Sequence, residues 1–544
     1  MVKEIFKYVK VIIFSVLLIS IICFVISGNT QNQKQVESLV IFGQNTDLDD
    51  AHKAFVEDDC VYVAFSTFYK TVDPDLFYDN LTEKAIITNE NQVVKLKLNS
   101  NIITVNLKEQ SIAHPLKKVG NVVFLPLTDI LPFYDICMSY NKESGIVSID
   151  SKETNYSKVN YNKTLVYEDI KTDSNVLQTL NKNEDIVVYE DALNHNRWYK
   201  VRTMSGNIGY VFKKSVVLAS DISSLDDEIK QDEKKYVMFW QYGSALDGLG
   251  EKIEGVNVVS PTVYEISNEV GDVTGKITNG YVSKAHGYGY EVWPIITNGI
   301  DNANYSSATT STVLNSEIAR ENLIKNIVGV IERDNLDGIN IDFEQMKDED
   351  RDYFTQFIRE LAPLMREKGK ILSVDTYFVK YIDRTRVGEA ADYVVLMGYD
   401  QNGAWSEVSG SVASVEWVEN NIISMMEDSK IPASKIILGV PFYTRLWTEK
   451  KGTDKPVTAI YTMLQASSYI NKNRLSLSYD EKTRQNYFEY TKGNNTYKMW
   501  VEDATSMKNR VDIINKYNLA GISAWRKGFE TSDIWPTIIQ NLEK

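Results

Sequence analysis

From Tyr236 onward, the chain alternates short apolar runs with longer segments whose apolar residues recur every three or four positions. The apolar runs are YVMFWQY from 236, VNVVSPTVYEI from 256, EVWPIIT from 291, GINIDFE from 338, ILSVDTY from 371, YVVLMGYD from 393, IILGVPFY from 436 and GISAWRKG from 521. Eight strands separated by helices over about 300 residues predict an α/β protein with a C-terminal (β/α)8 TIM barrel. A doubly wound sheet is the alternative, but the polar residues at the ends of the runs favour the barrel.

Four further regions complete the predicted organisation. Hairpin-like patterns over 448–500 predict an α+β insertion between barrel strands seven and eight. Short alternating runs predict two small β-rich domains ahead of the barrel, and a charged, apolar-poor stretch predicts a linker. The predicted boundaries are 38–152 and 155–220 for the β-rich domains, 221–235 for the linker and 236–544 for the barrel.

Residues 1–30 have the pattern of an export signal. Lysines at positions 3, 7 and 10 precede the apolar run VIIFSVLLISIICFVIS, which directs insertion with the N-terminus inside. A cleaved signal peptide and an uncleaved membrane anchor both fit this pattern. We therefore expect the remainder to lie outside the cell or in the cell envelope, with anchorage to the cytoplasmic membrane as one form.

Charge and composition exclude several functions. The net charge of −15 argues against a nucleic-acid partner, which requires a basic surface. Four histidines, with no HExxH and no CxxC motif, predict neither a metal site nor a cofactor. Of the three cysteines, Cys60 and Cys137 could form a disulfide, although two free thiols are the simpler interpretation.

The fourth apolar run carries candidate chemistry. Side chains alternate along a strand, so Asn340, Asp342 and Glu344 share one face at the carboxyl end of a barrel strand. Carboxylates this close raise the pKa of one of them, and a protonated Glu344 could then act as a general acid beside a charged Asp342. The competing interpretation is a strand end with capping acids.

Several motifs together resemble glycoside hydrolase family 18, the chitinase-like family. LDGINIDFE resembles its DGxxxDxE signature, and MGYD at 397–400 resembles its strand-six motif. The stretches KIILGVPFYTRLW, WVEDATSMKNRV and LAGISAWRKGFE resemble its later segments, so that the resemblance covers roughly 236–540. It implies substrate-assisted retaining hydrolysis next to N-acetylglucosamine, in which the acetamido oxygen of the substrate attacks the anomeric carbon.

The resemblance also implies roles for particular residues. Glu344 would be the acid, Asp342 would orient the acetamido group, and Tyr399 would hydrogen-bond its carbonyl. Other residues would line the substrate cleft: Trp525, Met397, Asp400, Tyr443, Arg445, Glu502 and Tyr264. For Trp525, Met397, Tyr443 and Tyr264, packing in the barrel core is the competing interpretation.

One departure from the family concerns Asn340, where many chitinases have Asp. We expect its amide to donate to Asp342 and to hold that carboxylate anionic. The form of this motif, followed by DRDYFTQF, resembles the spore-cortex and wall-associated branch, which implies peptidoglycan or cortex fragments as substrate. A chitinase acting on chitin oligomers and an inactive sugar-binding wall protein are the alternatives.

The two small domains have resemblances of their own. An internal repeat, with halves starting at Val61 and Val123, resembles the stalk domain named after the N-terminus of copper amine oxidases, with no copper implied. RWYKVRTMSGNIGYVFKKSVV resembles bacterial SH3-like domains, which implies a possible attachment to the cell wall. For Trp198 in that stretch, a place in a small core is the favoured interpretation.

Overall fold

The computed structural model describes residues 33–154, 156–189, 197–218, 234–243, 246–299 and 306–543. The predicted signal or anchor, including Cys23, and most of the predicted linker lie outside these residues. Two compact units emerge. The first contains the β-rich regions before residue 219, and the second contains Thr88–Val93 and the described residues from 234 onward.

The first region of unit one is built from short strands and two short helices. In chain order they are β1 (Lys34–Gln35), β2 (Ser38–Ile41), β3 (Gln44–Asn45), β4 (Phe55–Glu57), β5 (Cys60–Ala64), α1 (Phe65–Thr71), β6 (Phe77–Asp79), β7 (Lys84–Thr88), β8 (Val93–Lys97), β9 (Ile102–Val105), β10 (Lys108–Ser111), β11 (Lys117–Val119), β12 (Val122–Pro126), α2 (Leu127–Ile130), β13 (Ile136–Asn141) and β14 (Ile146–Ser151).

These strands form three sheets, with the orders β1-β4-β5-β12-β11, β10-β9-β8-β7-β6 and β13-β14-β2-β3. The predicted internal repeat is confirmed. A strand, a short helix and an antiparallel hairpin occur as β5-α1-β6-β7 and again as β12-α2-β13-β14. Apolar residues of both halves pack into one shared core, so neither half buries its apolar face alone.

A seven-stranded antiparallel sheet completes unit one. Its strands are β15 (Tyr156–Val159), β16 (Thr164–Tyr167), β17 (Val176–Leu180), β18 (Asp185–Tyr189), β19 (Trp198–Thr203), β20 (Ile208–Phe212) and β21 (Val216–Val217). Trp198 is half-buried and stacks on Phe212, outside the core of buried aliphatic side chains. The interpretation that Trp198 fills the small core is therefore wrong. A buried ion pair between Arg202 and Asp150, 2.6 Å apart, joins β19 to β14.

Unit two begins with the strands and helices of the barrel. They are β22 (Tyr236–Tyr242), β23 (Val258–Ile266), β24 (Val273–Gly275), α3 (Tyr281–Tyr288), β25 (Glu291–Val292), β26 (Ile295–Thr297), α4 (Ser307–Asn315), α5 (Glu317–Arg333), β27 (Gly338–Asp342), α6 (Arg351–Glu367), β28 (Ile371–Thr376), α7 (Arg384–Ala390), β29 (Tyr393–Met397), α8 (Val415–Glu427) and β30 (Ile436–Pro441). Ser306 and Ser316 cap α4 and α5 by accepting backbone N–H groups, as serine does at helix starts.

The remaining elements include the predicted insertion. They are β31 (Tyr443–Lys450), β32 (Val457–Thr462), α9 (Met463–Asn473), β33 (Ser478–Asp480), β34 (Gln485–Lys492), β35 (Asn495–Val501), α10 (Ala504–Tyr517), β36 (Gly521–Trp525) and α11 (Ile534–Asn541). Strands β31 to β35 form a separate antiparallel sheet that follows the seventh barrel strand, as predicted. Its hairpins begin at Tyr443, a few residues earlier than the sequence pattern indicated.

The eight predicted runs close into a barrel. The order is β22-β36-β30-β29-β28-β27-β26-β23, and β23 pairs in parallel with β22. The barrel interior is filled by large side chains that include Trp240 and Trp293. Gly439 makes room for Trp240, because a Cβ at this position would lie 3.0 Å from the indole ring.

Two smaller findings concern the cysteines and the membrane. Cys60 and Cys137 are free thiols, which confirms the simpler interpretation. Among the described residues, no helix has both the length and the apolar character needed to cross a bilayer.

Candidate active site

Two neighbouring strands bring polar side chains to one mouth of the barrel. On β27 and just beyond it, Asn340 is fully buried, Asp342 is 9% exposed and Glu344 is partly exposed. On β28, Ser373 and Asp375 are buried, while Tyr377, just past the strand, is partly exposed. Alternate residues of a strand face the same way, so the three residues of each strand lie on one face. In both strands, the later residues are closer to solvent.

Asn340 is the centre of a buried hydrogen-bond network. Its Oδ1 accepts from the indole Nε1 of Trp240 at 2.9 Å. Its amide donates to Oδ1 of Asp375 at 2.8 Å and to Oγ of Ser373 at 3.1 Å. Both amide hydrogens are therefore directed at β28, and our expectation that this amide would hold Asp342 anionic was wrong.

The backbone of Glu344 is fixed from a neighbouring strand. Asn298, which follows β26, donates from its amide to the carbonyl oxygen of Glu344 at 2.7 Å. It also accepts from the backbone N–H of Glu344 at 3.2 Å. The next residue, Gln345, turns the chain with a φ of +51° and donates its N–H to the hydroxyl of Tyr381. The contacts of Asn298 and Tyr381 thus fix the backbone from which the Glu344 side chain extends.

The end of β29 supplies a second cluster. Tyr399 packs edge-on against Trp240 and Tyr443. The hydroxyl of Tyr443 donates to Oδ1 of Asp400 at 2.7 Å, and Arg445 lies 3.7 Å from the same oxygen. The guanidinium of Arg445 also lies over the ring of Trp405. Arg445, which was predicted to line the cleft, is not among the residues that line the cavity at this mouth and instead contacts two that do, Asp400 and Trp405.

A cavity of about 620 Å³ opens at this mouth. It is lined by Trp240, Asp342, Glu344, Gln345, Asp375, Tyr377, Phe378, Met397, Tyr399, Asp400, Trp405, Trp417, Asn421, Tyr443 and Trp525. The structure therefore brings together seven of the predicted site residues, and Asn340 lies beneath them. Aromatic rings beside carboxyl groups suit a sugar ring, which has apolar faces and a polar rim.

Carboxyl groups and buried hydroxyls set the electrostatic environment of the cavity. Burial raises the pKa of the Tyr399 hydroxyl well above its ordinary value, and the nearby Tyr443, Asp375, Asp342 and Glu344 add to the rise. Burial raises the pKa of Tyr443 in the same way, with a further contribution from Asp400. Both hydroxyls are therefore neutral hydrogen-bond donors at any pH at which the protein would work.

Two predicted site residues lie elsewhere. Glu502 is 1% exposed and forms a two-point ion pair with Arg510, at 2.6 and 2.8 Å, beneath the insertion. Tyr264 is fully buried, and its hydroxyl donates to Asp334 just after α5, which directs it to the helical layer. Neither lines the cavity, so both expectations of substrate contact were wrong.

Several residues of the mouth were not predicted from the sequence. Asp375 and Tyr377 alternate at the end of the fifth run just as Asp342 and Glu344 do at the end of the fourth, so the same rule would have found them. Asn298 similarly follows the third run. Trp405 and Trp417 come from the segment after β29, where strand alternation gives no signal.

One further cluster could in principle bind a metal ion. Among the described residues, Cys60, His114 and Asp129 of unit one offer ligand atoms within 4.8 Å of one another. Nδ1 of His114 lies 2.6 Å from Oδ2 of Asp129, which is a direct hydrogen bond. Burial raises the pKa of the Cys60 thiol to about 12, which leaves it a neutral thiol. The contacts are those of a hydrogen-bonded network that joins the start of β5, the segment before β11 and α2.

Comparison with known proteins agrees with this geometry. The model of glycosyl hydrolases family 18 matches residues 275–529, and that of the copper amine oxidase N-terminal domain matches residues 40–149. An uncharacterized glycosylase, YvbX, from Bacillus subtilis (strain 168) is 26% identical over 281 residues, covering 49% of this chain and 80% of YvbX.

Two further relatives are informative. A cortical fragment-lytic enzyme of the same organism is 28% identical over 256 residues, covering 44% of this chain and 58% of that enzyme. The crystal structure of a chitinase from Chromobacterium violaceum ATCC 12472 is 25% identical with a TM-score of 0.51, covering 57% of this chain and 99% of that structure.

A closed (β/α)8 barrel with a carboxyl-lined, aromatic cavity at the carboxyl ends of its strands is an architecture that glycoside hydrolases use, and the family model matches this part of the chain. The barrel of this chain is accordingly a glycoside hydrolase domain of family 18. It is preceded by a domain of the copper amine oxidase N-terminal family.

Proposed function

We propose that this protein hydrolyses β-1,4 bonds at N-acetylglucosamine in peptidoglycan or its cortex fragments by substrate-assisted, retaining catalysis. The observation that carries the proposal is the arrangement of Asp342, Glu344 and Tyr399 around one cavity whose wall includes Trp525. An acid, a second carboxyl group and a neutral hydroxyl donor are what this chemistry requires.

In the proposed reaction, Glu344 donates a proton to the glycosidic oxygen as the acetamido oxygen of the substrate attacks the anomeric carbon. Asp342 orients the acetamido group and stabilises the positive charge of the cyclic oxazolinium intermediate. The hydroxyl of Tyr399 donates to the acetamido carbonyl, and its raised pKa keeps that donor available. Glu344 then removes a proton from the water that opens the intermediate.

The walls of the cavity support recognition of a sugar. Trp240 and Trp525 pack edge to face with ring centroids 6.0 Å apart, and the partly exposed Trp525 lines the cavity at the end of β36. Met397 and Asp400 line the same wall next to Tyr443. Such a wall holds the apolar face of a sugar ring while the polar groups bind its edge.

The choice of peptidoglycan over chitin rests on two lines of support. One is the likeness to a cortical fragment-lytic enzyme, which spans 58% of that enzyme's length. The other is the domain that precedes the barrel, because a stalk would set the cavity away from its point of attachment. Chitin oligomers are the second candidate substrate, favoured by the likeness to a chitinase.

The proposal places the protein outside the cell or in the cell envelope. Residues 1–30 would direct export and, if uncleaved, would anchor the chain in the cytoplasmic membrane. The seven-stranded domain, with its half-buried Trp198 and Phe212, would serve as the SH3-like module that binds the cell wall.

Digestion by the purified protein tests the proposed reaction. Intact peptidoglycan, spore cortex and chitin oligomers would be incubated with the wild type, with Glu344→Gln and with Glu349→Gln. Glu349 is exposed just beyond the mouth and is the matched control. We expect N-acetylglucosamine reducing ends from a wall substrate by mass spectrometry, unchanged with Glu349→Gln and reduced about 10²- to 10⁴-fold with Glu344→Gln.

Other outcomes would change the conclusion. Cleavage of chitin oligomers alone would make the protein a chitinase. Activity that survives Glu344→Gln would remove Glu344 from the role of acid. Binding without cleavage of any of the three substrates would favour an inactive sugar-binding protein.

A further inference from the structure

Asp375 is a third carboxyl group at the floor of the cavity, and the proposed mechanism does not use it. It lies on β28, is 3% exposed and lines the cavity with Asp342 and Glu344. In the described part of the chain, no ion pair includes Asp375. A buried carboxyl group with no cationic partner is costly when charged, so its presence requires a reason.

The strand register places Asp375 beside Asp342. Asn340 pairs with Ser373 and Ile341 pairs with Val374 in the parallel ladder between β27 and β28. The next position in this register sets Asp342 opposite Asp375, and both side chains face the barrel interior. Neighbouring strands lie about 4.8 Å apart, so two charged carboxylates at paired positions on this face would repel each other.

The hydrogen bond from Asn340 distinguishes the two oxygens of Asp375. An amide N–H donates to Oδ1 at 2.8 Å, so Oδ1 acts as an acceptor. If the carboxyl group is protonated, its proton is therefore on Oδ2. The other oxygen of this network, Oδ1 of Asn340, is fixed by the indole of Trp240, which sets the orientation of the amide.

We propose that Asp375 is a positioning residue, which stays protonated and donates a hydrogen bond from Oδ2 into the cavity to hold Asp342 as the anion. This inference rests on the proposed function. It assigns to the Asn340–Asp375 pair a task that the sequence suggested for Asn340 alone. Asp375 makes no bond to the reacting atoms and acts through Asp342.

The charges around Asp375 agree with this geometry. Burial raises the pKa of Asp375 well above its ordinary value, the amide of Asn340 lowers it, and the nearby Glu344 raises it further. The titratable groups that face it are Asp342 and Glu344 from β27, Tyr399 from β29 and Tyr377 from its own strand. All of them are neutral or negative, so the surroundings favour the neutral acid.

Two substitutions separate a neutral donor from a charged carboxylate. In Asp375→Asn, the amide can accept from Asn340 and donate into the cavity, as the protonated acid does. We expect kcat on the cleaved wall substrate to stay within about 10-fold of wild type, with an unchanged KM. Asp375→Ala removes the donor, and we expect kcat to fall about 100-fold. Asp352→Asn, on the exposed face of α6, is the matched control.

Stability provides a readout that does not need activity. Because the folded-state pKa of Asp375 is raised, its contribution is fully present below the unfolded-state pKa of about 3.9 and is lost as pH rises through the folded-state pKa. The urea midpoint of the wild type, relative to that of Asp375→Asn, should therefore fall as the pH rises above the unfolded-state pKa of about 3.9. Tryptophan fluorescence follows the correct unit, because eight of the nine tryptophans lie after residue 235.

The outcomes are distinct. A fall of kcat in Asp375→Asn as large as that in Asp375→Ala would mean that a charged or proton-transferring carboxyl group is required, and would overturn the proposal. A relative urea midpoint that rises with pH would overturn it as well. An inactive wild type with the expected pH dependence would instead reject the proposed function while leaving the protonated state of Asp375 standing.

Discussion

Glu502 and Asp375 are both buried carboxyl groups of unit two, but their surroundings are of opposite kinds. Beneath the insertion, Glu502 meets the guanidinium of Arg510 through both oxygens and also accepts from Ser506 and Gln485. At the mouth of the barrel, Asp375 accepts from the neutral amide of Asn340 and opens onto a cavity. Burial raises the pKa of both groups, while Arg510 offsets part of the rise at Glu502.

This difference shows how a buried acid can be assigned a task. When a cation and several donors satisfy all its acceptor sites, the acid is part of the scaffold, and its removal leaves a buried charge. When the partners are neutral and one side faces a cavity, the group can keep a proton and present it to a ligand. Burial by itself does not separate these cases, because both residues are almost inaccessible to solvent.

The largest effect should come from breaking the scaffold pair. Glu502→Gln leaves the guanidinium of Arg510 buried without a counter-ion, and we expect the free energy of unfolding to fall by about 3–5 kcal/mol. The cavity does not include Glu502, so kcat of the remaining folded protein should be unchanged. Urea unfolding followed by tryptophan fluorescence, together with turnover of the wall substrate, measures both quantities.

Glu419→Gln is the control for this substitution. It removes a carboxylate from an ion pair with Lys516 at the surface, where 60% of the lysine side chain is exposed. Such a pair is worth about 0–1 kcal/mol, so its unfolding curve should nearly overlay that of the wild type. A loss of turnover by Glu502→Gln without a loss of stability would return Glu502 to the substrate site.

The same comparison shows how much of this protein the sequence could predict. Periodicity identified all eight barrel strands, because a strand buried on both faces is a continuous apolar run bounded by polar residues. Alternation identified Asn340, Asp342 and Glu344 as one face. The strands and the shared face both depend on residues close together in the chain, so the local sequence pattern predicts them.

The errors arose where the decisive partner lies far along the chain. The direction of the Asn340 amide depends on Asp375, 35 residues later, and the orientation of Tyr264 depends on Asp334, 70 residues later. Glu502 pairs with Arg510, eight residues later on α10, but it also accepts a hydrogen bond from Gln485 of β34, which the local pattern does not show. A strand pattern gives the face of a residue but not the partner that meets it there.

A smaller effect should follow from removing the hydrogen bonds that hold the backbone of Glu344, without removing a charge. Asn298→Ala deletes both hydrogen bonds that fix the backbone of Glu344, and the acid should then occupy more positions. We expect kcat to fall about 10-fold, because misplacement of a catalytic group is costly even when the group remains. Substrate affinity does not depend on this contact, so KM should stay the same.

Steady-state kinetics on the wall substrate measures the separation of kcat from KM. Asn322→Ala is a suitable control, because Asn322 lies on exposed α5 and donates to a backbone carbonyl far from the cavity. If Asn298→Ala instead lowered stability like Glu502→Gln and left kcat intact, Asn298 would belong with the scaffold residues rather than with the mouth.

The smallest effect should come from the rim, where the mouth meets the insertion. Trp405 is 60% exposed, lines the cavity and lies beneath the guanidinium of Arg445. We expect Trp405→Ala to raise KM about five-fold, equivalent to about 1 kcal/mol of lost ring contact, while kcat stays unchanged because the ring lies away from the acid. Trp405→Phe should restore most of the affinity, and Val408→Ala, at an exposed position of the same segment, should change neither constant. A fall in kcat with a constant KM would instead place Trp405 next to the reacting bond, and Trp405 would then belong to the mouth and not to the rim.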